Sequence, residues 1–187
     1  MIVCIYVDDL LIFGTNLEGI DQETKKYLTS KFKMKDIKEM NTILEIKVKK
    51  HSEGYALNQS HYISKVLDKF KYLGIKGANT AYNTSMKLVE NTGRAIAQIE
   101  YASAIGSLIY AMQCTRPNIA FAMCKLLRFT RNPSTMHCKE IITVLGYLKR
   151  TENLGIFYQK FHVVLKGFID ASWITSTTDN KPIRSEF

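Results

Sequence analysis

Asp8 and Asp9 stand next to each other in the segment MIVCIYVDDLLIFG, where almost every other residue is apolar. The flanking residues alternate and are rich in β-branched and aromatic types, which predicts two short strands joined by a tight connection over residues 7–9. The two carboxylates should therefore lie at a hairpin tip. On these residues alone, the favoured interpretation is a polar turn between two core strands.

Basic side chains are the second group of residues that could bind a ligand. The sequence has 26 Lys and Arg against 17 Asp and Glu, a formal charge of +9 and a pI near 9.3. This balance favours an anionic partner such as nucleic acid or an acidic membrane surface. The excess is +3 in residues 1–84, +6 in residues 85–151 and 0 in residues 152–187, so the middle third carries most of the positive field.

Four basic side chains in that middle third are candidate phosphate ligands. Lys125, Arg128 and Arg131 follow one another at intervals near one helical turn and can bind phosphates without contacting bases; a solvated charged face is the alternative. Arg116, in the segment TRPNI, fits two roles equally. It can bind a phosphate, or it can donate to the carbonyls at the end of a neighbouring helix.

Several classes of protein are disfavoured. The four cysteines form no CxxC pair, and His137 beside Cys138 lacks the partners that a zinc site needs at short spacing, so we expect reduced, mostly buried thiols. The N-terminal apolar run lacks a basic leader and meets the two aspartates too early for a signal peptide, and no stretch approaches the roughly 18 apolar residues of a membrane span. An intracellular protein, cytoplasmic or nuclear and without a membrane partner, is the expectation.

The elements around the aspartates predict an α+β fold. Asn16 can cap a helix whose apolar residues reach Phe32 at near-helical spacing. The alternation in ILEIKVKK predicts a half-buried strand that includes Leu44, HSEG predicts a turn, and residues 55–58 form the partner strand. Ser60 is a candidate cap for the next helix, which carries apolar residues on one face: Tyr62, Val66, Leu67 and Phe70.

The second half of the sequence predicts helices and then new strands. Residues 71–93 are rich in Gly, Asn and Thr and form the best linker candidate. Beyond them the spacing predicts three helices, the last capped by Ser134: residues 99–114, 117–129 and 134–150. Residues 155–158 and 163–169 predict two strands of a separate sheet.

Several motifs in collinear order resemble the reverse transcriptase of copia-type retrotransposons. They are YVDDLLIFG, YASAIGSLIYAMQCTRPNIAFAM, RNP, GYLKRTENLG and GFIDASW, and they extend over nearly the whole chain. The resemblance implies a truncated and partly degenerate piece of a Pol polyprotein, from an element that also carries DNA integration. The implied parts are the C-terminal polymerase palm in residues 1–84, a helical thumb and connection in residues 85–151, and the first strands of a ribonuclease H-like domain in residues 152–187.

The resemblance also implies roles for the two aspartates. In this family the YxDD hairpin presents carboxylates to two magnesium ions, which bind the incoming nucleotide and activate the 3′ hydroxyl of the primer, so Asp8 and Asp9 are the implied catalytic and metal-binding residues. Consecutive strand residues point to opposite sides, so the two carboxylates are not equivalent, and the family implies Asp8 as the stronger candidate for direct ligation. The family's remaining catalytic aspartate lies on a strand well upstream, and this chain begins five residues before Tyr6. We therefore expect an incomplete two-metal site and no polymerisation by this chain alone, with the upstream palm and fingers segment as a candidate partner.

Other positions correspond to contacts with an RNA/DNA primer–template duplex. Tyr6 lies next to the primer end in the family, and an ordinary half-buried strand tyrosine is an equal alternative. Leu44 and Glu45 occupy the positions of a Leu-Gly pair in a hairpin that grips the primer; Glu45 removes the close backbone approach of glycine and adds a negative charge beside a phosphate chain. Gly106 lies among small residues of a thumb helix, where tight helix packing is favoured over approach of a nucleic-acid backbone: Ala102, Ser103 and Ser107.

Asp170, in GFIDASW, corresponds to the first metal-binding aspartate of the ribonuclease H core. Ser172 stands where the family commonly has another aspartate, and NKPIRSEF stands where it has an Arg-Lys-Ser-Thr-Ser-Gly turn. Asp170 is therefore at best a vestigial metal ligand.

The function that these features imply is that of a fragment of an RNA-directed DNA polymerase. Two alternatives stay open: a nucleic-acid-binding remnant retained for its basic helices, and a translated remnant without function. A three-helix DNA-binding domain over residues 99–150 is disfavoured because no helix shows the exposed Arg, Asn or Gln residues at the spacing that base recognition needs.

Overall fold

The computed structural model describes residues 2–13, 24–37 and 41–159. The chain is an α+β protein that divides into two compact units, Met1–Met40 and Asn41–Phe187. Among the described residues, the first unit contains a hairpin and a short helix, and the second contains a four-stranded sheet and four α-helices. The predicted strand over residues 163–169 lies outside the described residues.

The hairpin of the first unit is confirmed. Strand β1 (Ile2–Tyr6) pairs antiparallel with β2 (Asp9–Phe13), and Tyr6 lies opposite Asp9. The connection is shorter than predicted, because Asp9 already belongs to β2 and only residues 7 and 8 form the turn. Helix α1 (Lys25–Lys31) follows; the predicted cap Asn16 lies outside the described residues.

The sheet of the second unit is antiparallel throughout, in the order β3-β4-β5-β6. Its strands are β3 (Thr42–Ile43), β4 (Ile46–His51), β5 (Gly54–Asn58) and β6 (Ile156–Gln159). In β4 the alternation is confirmed, since Ile46 and Val48 are half-buried and Lys47 and Lys49 are exposed.

Two predictions about this sheet are corrected. Leu44 and Glu45 are not strand residues: both adopt left-handed backbone, with φ of 48° and 60°, and form a two-residue turn between β3 and β4. The strand predicted at residues 155–158 does not begin a separate sheet, because β6 pairs with β5. The predicted boundaries at residues 84/85 and 151/152 stay predictions.

Four helices enclose the core of the second unit. They are α2 (Ser60–Lys69), α3 (Gln98–Cys114), α4 (Ala120–Leu127) and α5 (Thr135–Arg150), and a 3-10 turn over Pro117–Ile119 leads into α4. Helix α3 packs against the other three. Their facing side chains form one buried apolar cluster, with Leu108, Met123, Leu126, Val144 and Leu145 fully buried. The three helices that the spacing predicts in the second half are confirmed.

The caps of two helices differ in how well the sequence indicates them. Ser134 precedes α5 as predicted, and its backbone N–H donates to Nδ1 of His137 at 2.9 Å. Ser60 is instead the first residue of α2, and its N–H donates to Oδ1 of Asn58 at 2.6 Å. Asn58 therefore accepts a hydrogen bond from a backbone N–H of the first turn of α2. Short amide side chains often have this role at helix starts.

The linker predicted over residues 71–93 has little regular structure, but it packs on the helices. Ile75 is buried in the core, and Nζ of Lys149 donates to its carbonyl at 3.1 Å. A Cβ at Gly146 of α5 would lie 2.2 Å from the carbonyl oxygen of Lys76, so this segment and α5 are in direct backbone contact. The segment is therefore part of the second unit and not a flexible tether.

The cysteines are free thiols, and the prediction that most are buried is wrong. Cys4 and Cys124 are exposed, while Cys114 and Cys138 are partly buried. Burial raises the pKa of the Cys138 thiol.

Candidate nucleic-acid interface

The two aspartates lie at an exposed hairpin tip. Asp8 is the second turn residue and Asp9 is the first residue of β2, and both are exposed. Val7, the first turn residue, has a φ of 50° and is 81% exposed. Glycine usually takes this position in a type II′ hairpin, and a β-branched residue there is strained by about 1–2 kcal/mol. The side chains of Tyr6 and of the rest of β1 are also exposed, so the tip can accept a ligand without rearrangement.

Asp8 and Asp9 offer the carboxylate oxygens that magnesium prefers. No group of three His, Cys, Asp or Glu side chains suited to a metal ion occurs within residues 2–13, 24–37 and 41–159. The two aspartates fit one side of a metal site, and a complete shell needs donors beyond them. Asp170 lies outside the described residues.

The turn between β3 and β4 is attached to two helices. Nζ of Lys65, on α2, lies 2.7 Å from a carboxylate oxygen of Glu45. The hydroxyl of Tyr110, on α3, donates to the carbonyl of Leu44. The Tyr110 ring packs edge-to-face on Tyr62, with ring centroids 5.0 Å apart. These contacts orient the turn, and Lys65 offsets the negative charge of Glu45.

The small-residue face of α3 is packed only in part, so the expectation of tight helix packing fails for Ala102 and Gly106. Both are exposed, and a Cβ at Gly106 would meet no described residue within 4 Å. Ser103 and Ser107 are partly buried, and the ammonium of Lys69 donates to the Ser103 hydroxyl at 2.7 Å. A backbone of another molecule can therefore approach this face of α3 closely.

The three predicted basic residues after α3 lie on α4 and the turn that follows it. The ammonium of Lys125 lies 5.6 Å from the centre of the Phe121 ring, a cation–π geometry. Arg128 directly follows the last residue of α4, and Arg131 lies in the next turn; both are exposed. We refer to Lys125, Arg128 and Arg131 as the α4 basic cluster.

Arg116 does not belong to a binding surface, and its proposed role as a phosphate ligand is corrected. The side chain is fully buried. Its guanidinium donates to the carbonyl and hydroxyl of Thr151, which caps α5, and to the carbonyl of Leu154. Burial lowers the pKa of the guanidinium, and the C-terminal end of α5 favours a cation at this position. Arg116 therefore connects the end of α5 to the 3-10 turn that leads into α4. Donation to carbonyls at the end of a neighbouring helix was the second of the two roles that the sequence allowed.

Some residues that organise these surfaces carry no sequence signal. Lys65 and Tyr110 meet the β3–β4 turn across 20 and 66 positions of sequence, respectively. Gln59 is fully buried and accepts a hydrogen bond from the Thr115 hydroxyl at 2.8 Å, 56 positions away. None of these contacts follows a local spacing, so only the folded chain reveals them.

The class of protein that carries this exposed YVDD hairpin follows from comparison with known families. The chain belongs to the reverse transcriptase (RNA-dependent DNA polymerase) family, whose sequence profile matches residues 1–104. It is a fragment of the Pol polyprotein type found in retrotransposons. No solved structure matches the chain significantly.

Three relatives illustrate the relationship. The retrovirus-related Pol polyprotein from transposon TNT 1-94 of Nicotiana tabacum is 35% identical over 97% of this chain, and that from transposon RE1 of Arabidopsis thaliana is 33% identical over 94%. This chain spans 14% and 12% of those polyproteins. A putative transposon Ty5-1 protein of Saccharomyces cerevisiae is 29% identical over 91% of this chain, which spans 56% of it.

No helix in the described part of the chain combines the length and the apolarity needed to cross a bilayer.

Proposed function

We propose that this chain supplies the YVDD half of a reverse transcriptase active site together with the helical surface that holds a primer–template duplex. Residues 1–84 then correspond to the C-terminal palm, residues 85–151 to the thumb and connection, and residues 152–187 to the start of a ribonuclease H-like domain with Asp170 as a vestigial ligand. The observation that carries the proposal is the exposed pair Asp8 and Asp9 at a hairpin tip in a chain of this family.

In this proposal the metal site binds two magnesium ions. When bound, two hard cations stabilise the attacking and leaving oxygens of phosphoryl transfer. Asp8 and Asp9 are the residues of this chain that would hold them, with Asp8 as the more direct ligand. The exposed ring of Tyr6, opposite Asp9 in the hairpin, is available to contact the terminal primer nucleotide.

The duplex site of this proposal lies on α3 and α4. The open face around Gly106 permits close approach of a sugar–phosphate backbone, and the α4 basic cluster supplies cations for phosphates. Such contacts position a duplex without selecting its sequence. Leu44 belongs to the same proposal: Lys65 and Tyr110 hold its turn, and the resemblance to the family assigns this turn to the primer grip.

This 187-residue chain by itself is proposed to be inactive as a polymerase. Magnesium held by one or two carboxylates depends on other groups for its remaining ligands, and Asp8 and Asp9 come from one hairpin only. Preorganised charge stabilisation is usually the largest contribution to catalysis, so carboxylates from one side of the cleft should not support measurable extension by themselves.

Primer extension with magnesium or manganese tests this part of the proposal. The chain alone should extend no primer, and addition of the upstream palm and fingers segment of a related polyprotein should restore a trace that Asp8→Asn removes. Extension by the chain alone that is lost in Asp8→Asn would show that a complete metal site exists within these residues.

Binding of a labelled RNA–DNA duplex tests the helical surface independently of catalysis. Replacement of both Arg128 and Arg131 by Gln should weaken binding and reduce the slope of log affinity against log salt by about 1.8, because each lost phosphate contact contributes about 0.9. The matched control replaces the exposed Lys76 and Lys87 by Gln, which removes the same charge elsewhere. Equal effects of the two double variants would show that net charge alone drives binding.

The alternative function, nucleic-acid binding without catalysis, is supported by the same basic cluster. The double variant Asp8→Asn/Asp9→Asn separates the two functions, because a binding remnant needs neither carboxylate. A chain that binds no duplex at any salt concentration would instead favour a remnant without function.

A further inference from the structure

One face of the four-stranded sheet is basic and aromatic, although the sequence did not single it out. Directly opposite residues of an antiparallel pair share a face, and Lys49 lies opposite Ala56, which lies opposite Phe157. Lys47 and His51, two positions on either side of Lys49, share this face by the alternation of β4. We call these four residues, Lys47, Lys49, His51 and Phe157, the basic sheet face.

All four side chains of the basic sheet face are exposed, and Phe157 is 46% exposed. The His51 and Phe157 rings are held edge-to-face, with centroids 5.7 Å apart and an interplanar angle of 74°. On β5 this face carries the small residues Gly54 and Ala56 beside the aromatic pair, and Asn58 opposite Lys47. The Phe157 ring therefore has small neighbours on β5 and keeps nearly half of its surface exposed.

The lysines of this face are not neutralised by the described chain. No carboxylate in residues 2–13, 24–37 or 41–159 pairs with Lys47 or Lys49. Glu45, just before β4, is already bound to Lys65, and Glu53 lies in the turn beyond His51. The Cα atoms of Lys47 and Lys49 are about 7 Å apart along the strand, from a rise of about 3.4 Å per residue, which is comparable with the separation of successive phosphates in an extended nucleic-acid strand.

We propose that the basic sheet face binds single-stranded nucleic acid, with phosphates on Lys47 and Lys49 and an unpaired base stacked on Phe157. Accessible aromatic rings beside a row of cations are the two features that recur in single-strand binding surfaces. A rigid duplex offers no free base face to Phe157, so the aromatic residue favours an unpaired strand. The proposal extends the proposed function, because a primer–template substrate carries an unpaired template strand next to its duplex.

Fluorescence anisotropy of the full chain with labelled oligothymidylate tests this proposal. Replacement of both Lys47 and Lys49 by Gln should reduce the salt slope by about 1.4, because each phosphate contact on a single strand contributes about 0.7. Phe157→Leu should weaken binding about tenfold without changing the slope, because stacking on one base is lost and no charge changes. Circular dichroism of each variant confirms that these surface substitutions leave the fold intact.

The Lys76→Gln/Lys87→Gln variant is the charge-matched control, and it should bind oligothymidylate more tightly than Lys47→Gln/Lys49→Gln. Equal weakening in both would overturn the proposal, as would an unchanged affinity in Phe157→Leu. Binding of phosphatidylserine vesicles that depends on Lys47 and Lys49, without binding of oligothymidylate, would assign the face to a membrane and also overturn it.

A duplex measured in parallel separates this proposal from the proposed function. Loss of duplex binding in the Arg128 and Arg131 variant, with oligothymidylate binding unaffected by Lys47→Gln/Lys49→Gln, would refute the sheet site alone. Loss of oligothymidylate binding in Lys47→Gln/Lys49→Gln, with duplex binding unaffected in the Arg128 and Arg131 variant, would refute the helical duplex site and support the sheet site.

Discussion

Replacement of Arg116 by Met should destabilise the second unit by about 2–4 kcal/mol. The fully buried guanidinium donates to Thr151 Oγ1 at 2.8 Å, to the Thr151 carbonyl, and to the Leu154 carbonyl at 3.2 Å. Hydrogen bonds from a charged donor contribute about 1.5–3 kcal/mol each. The apolar side chain avoids the desolvation of a buried cation, and this gain offsets part of the loss.

Arg116→Lys should be destabilising by at least as much. A lysine retains the buried charge, but its compact ammonium cannot reproduce the planar fork that spans two residues. The matched control is Arg131→Met, which alters an exposed arginine and should change the free energy of unfolding by no more than about 0.5 kcal/mol.

Urea denaturation followed by far-UV circular dichroism measures these differences through the midpoint and slope of unfolding. Folded Arg116→Met should also bind a duplex with the wild-type salt slope, since no phosphate reaches residue 116. An Arg116→Met chain that is as stable as wild type but has a reduced salt slope would refute the structural role and restore the phosphate role.

Three further predictions concern the core and the hairpin. Tyr101→Phe should cost about 1–2 kcal/mol of unfolding free energy in urea, because the buried hydroxyl donates to the Leu126 carbonyl at 2.8 Å and the carbonyl would lose its partner; an unchanged midpoint would contradict this. Burial lowers the pKa of His137, whose ring stacks on that of Phe129 with the centroids 3.9 Å apart. The unfolded chain therefore binds the proton more readily, so stability should fall as pH drops below about 6.5, and a His137→Asn chain that loses stability just as steeply would count against this residue. Amide exchange should be slowest in α3 and α5 and fast in β1, whose five residues are all exposed; equal protection of β1 would contradict this expectation.

Local patterns predicted most of the secondary structure. The alternation around Asp8 and Asp9 and the tight connection indicated the β1–β2 hairpin, and the apolar spacing after residue 98 indicated α3, α4 and α5. Ser134 marked the start of α5 because a cap acts on N–H groups of its own first turn. The collinear motifs indicated the family, since they depend on residue order and not on contacts.

The errors and the unresolved alternatives share a physical cause. Leu44 and Glu45 continue an alternating pattern, yet they form a turn because Tyr110 and Lys65, far away in sequence, hold it. Residues 71–93 have the composition of a linker, but their backbone lies against Gly146 of α5. Packing partners overrode local preference in both cases.

The sequence by itself determined the hairpin with its two carboxylates, the order and approximate bounds of the helices, and the family. Only the tertiary structure decided that Arg116 is a buried helix-end ligand, that the face around Gly106 is open, and that β6 joins β5 to complete the basic sheet face. Hairpins and helices follow from interactions within a few residues. Exposure depends instead on contacts between distant segments, such as the hydrogen bond that the Asn58 side chain donates to the Asn153 carbonyl, 95 positions away. A residue's availability to a ligand is a property of those distant contacts, and no local spacing encodes it.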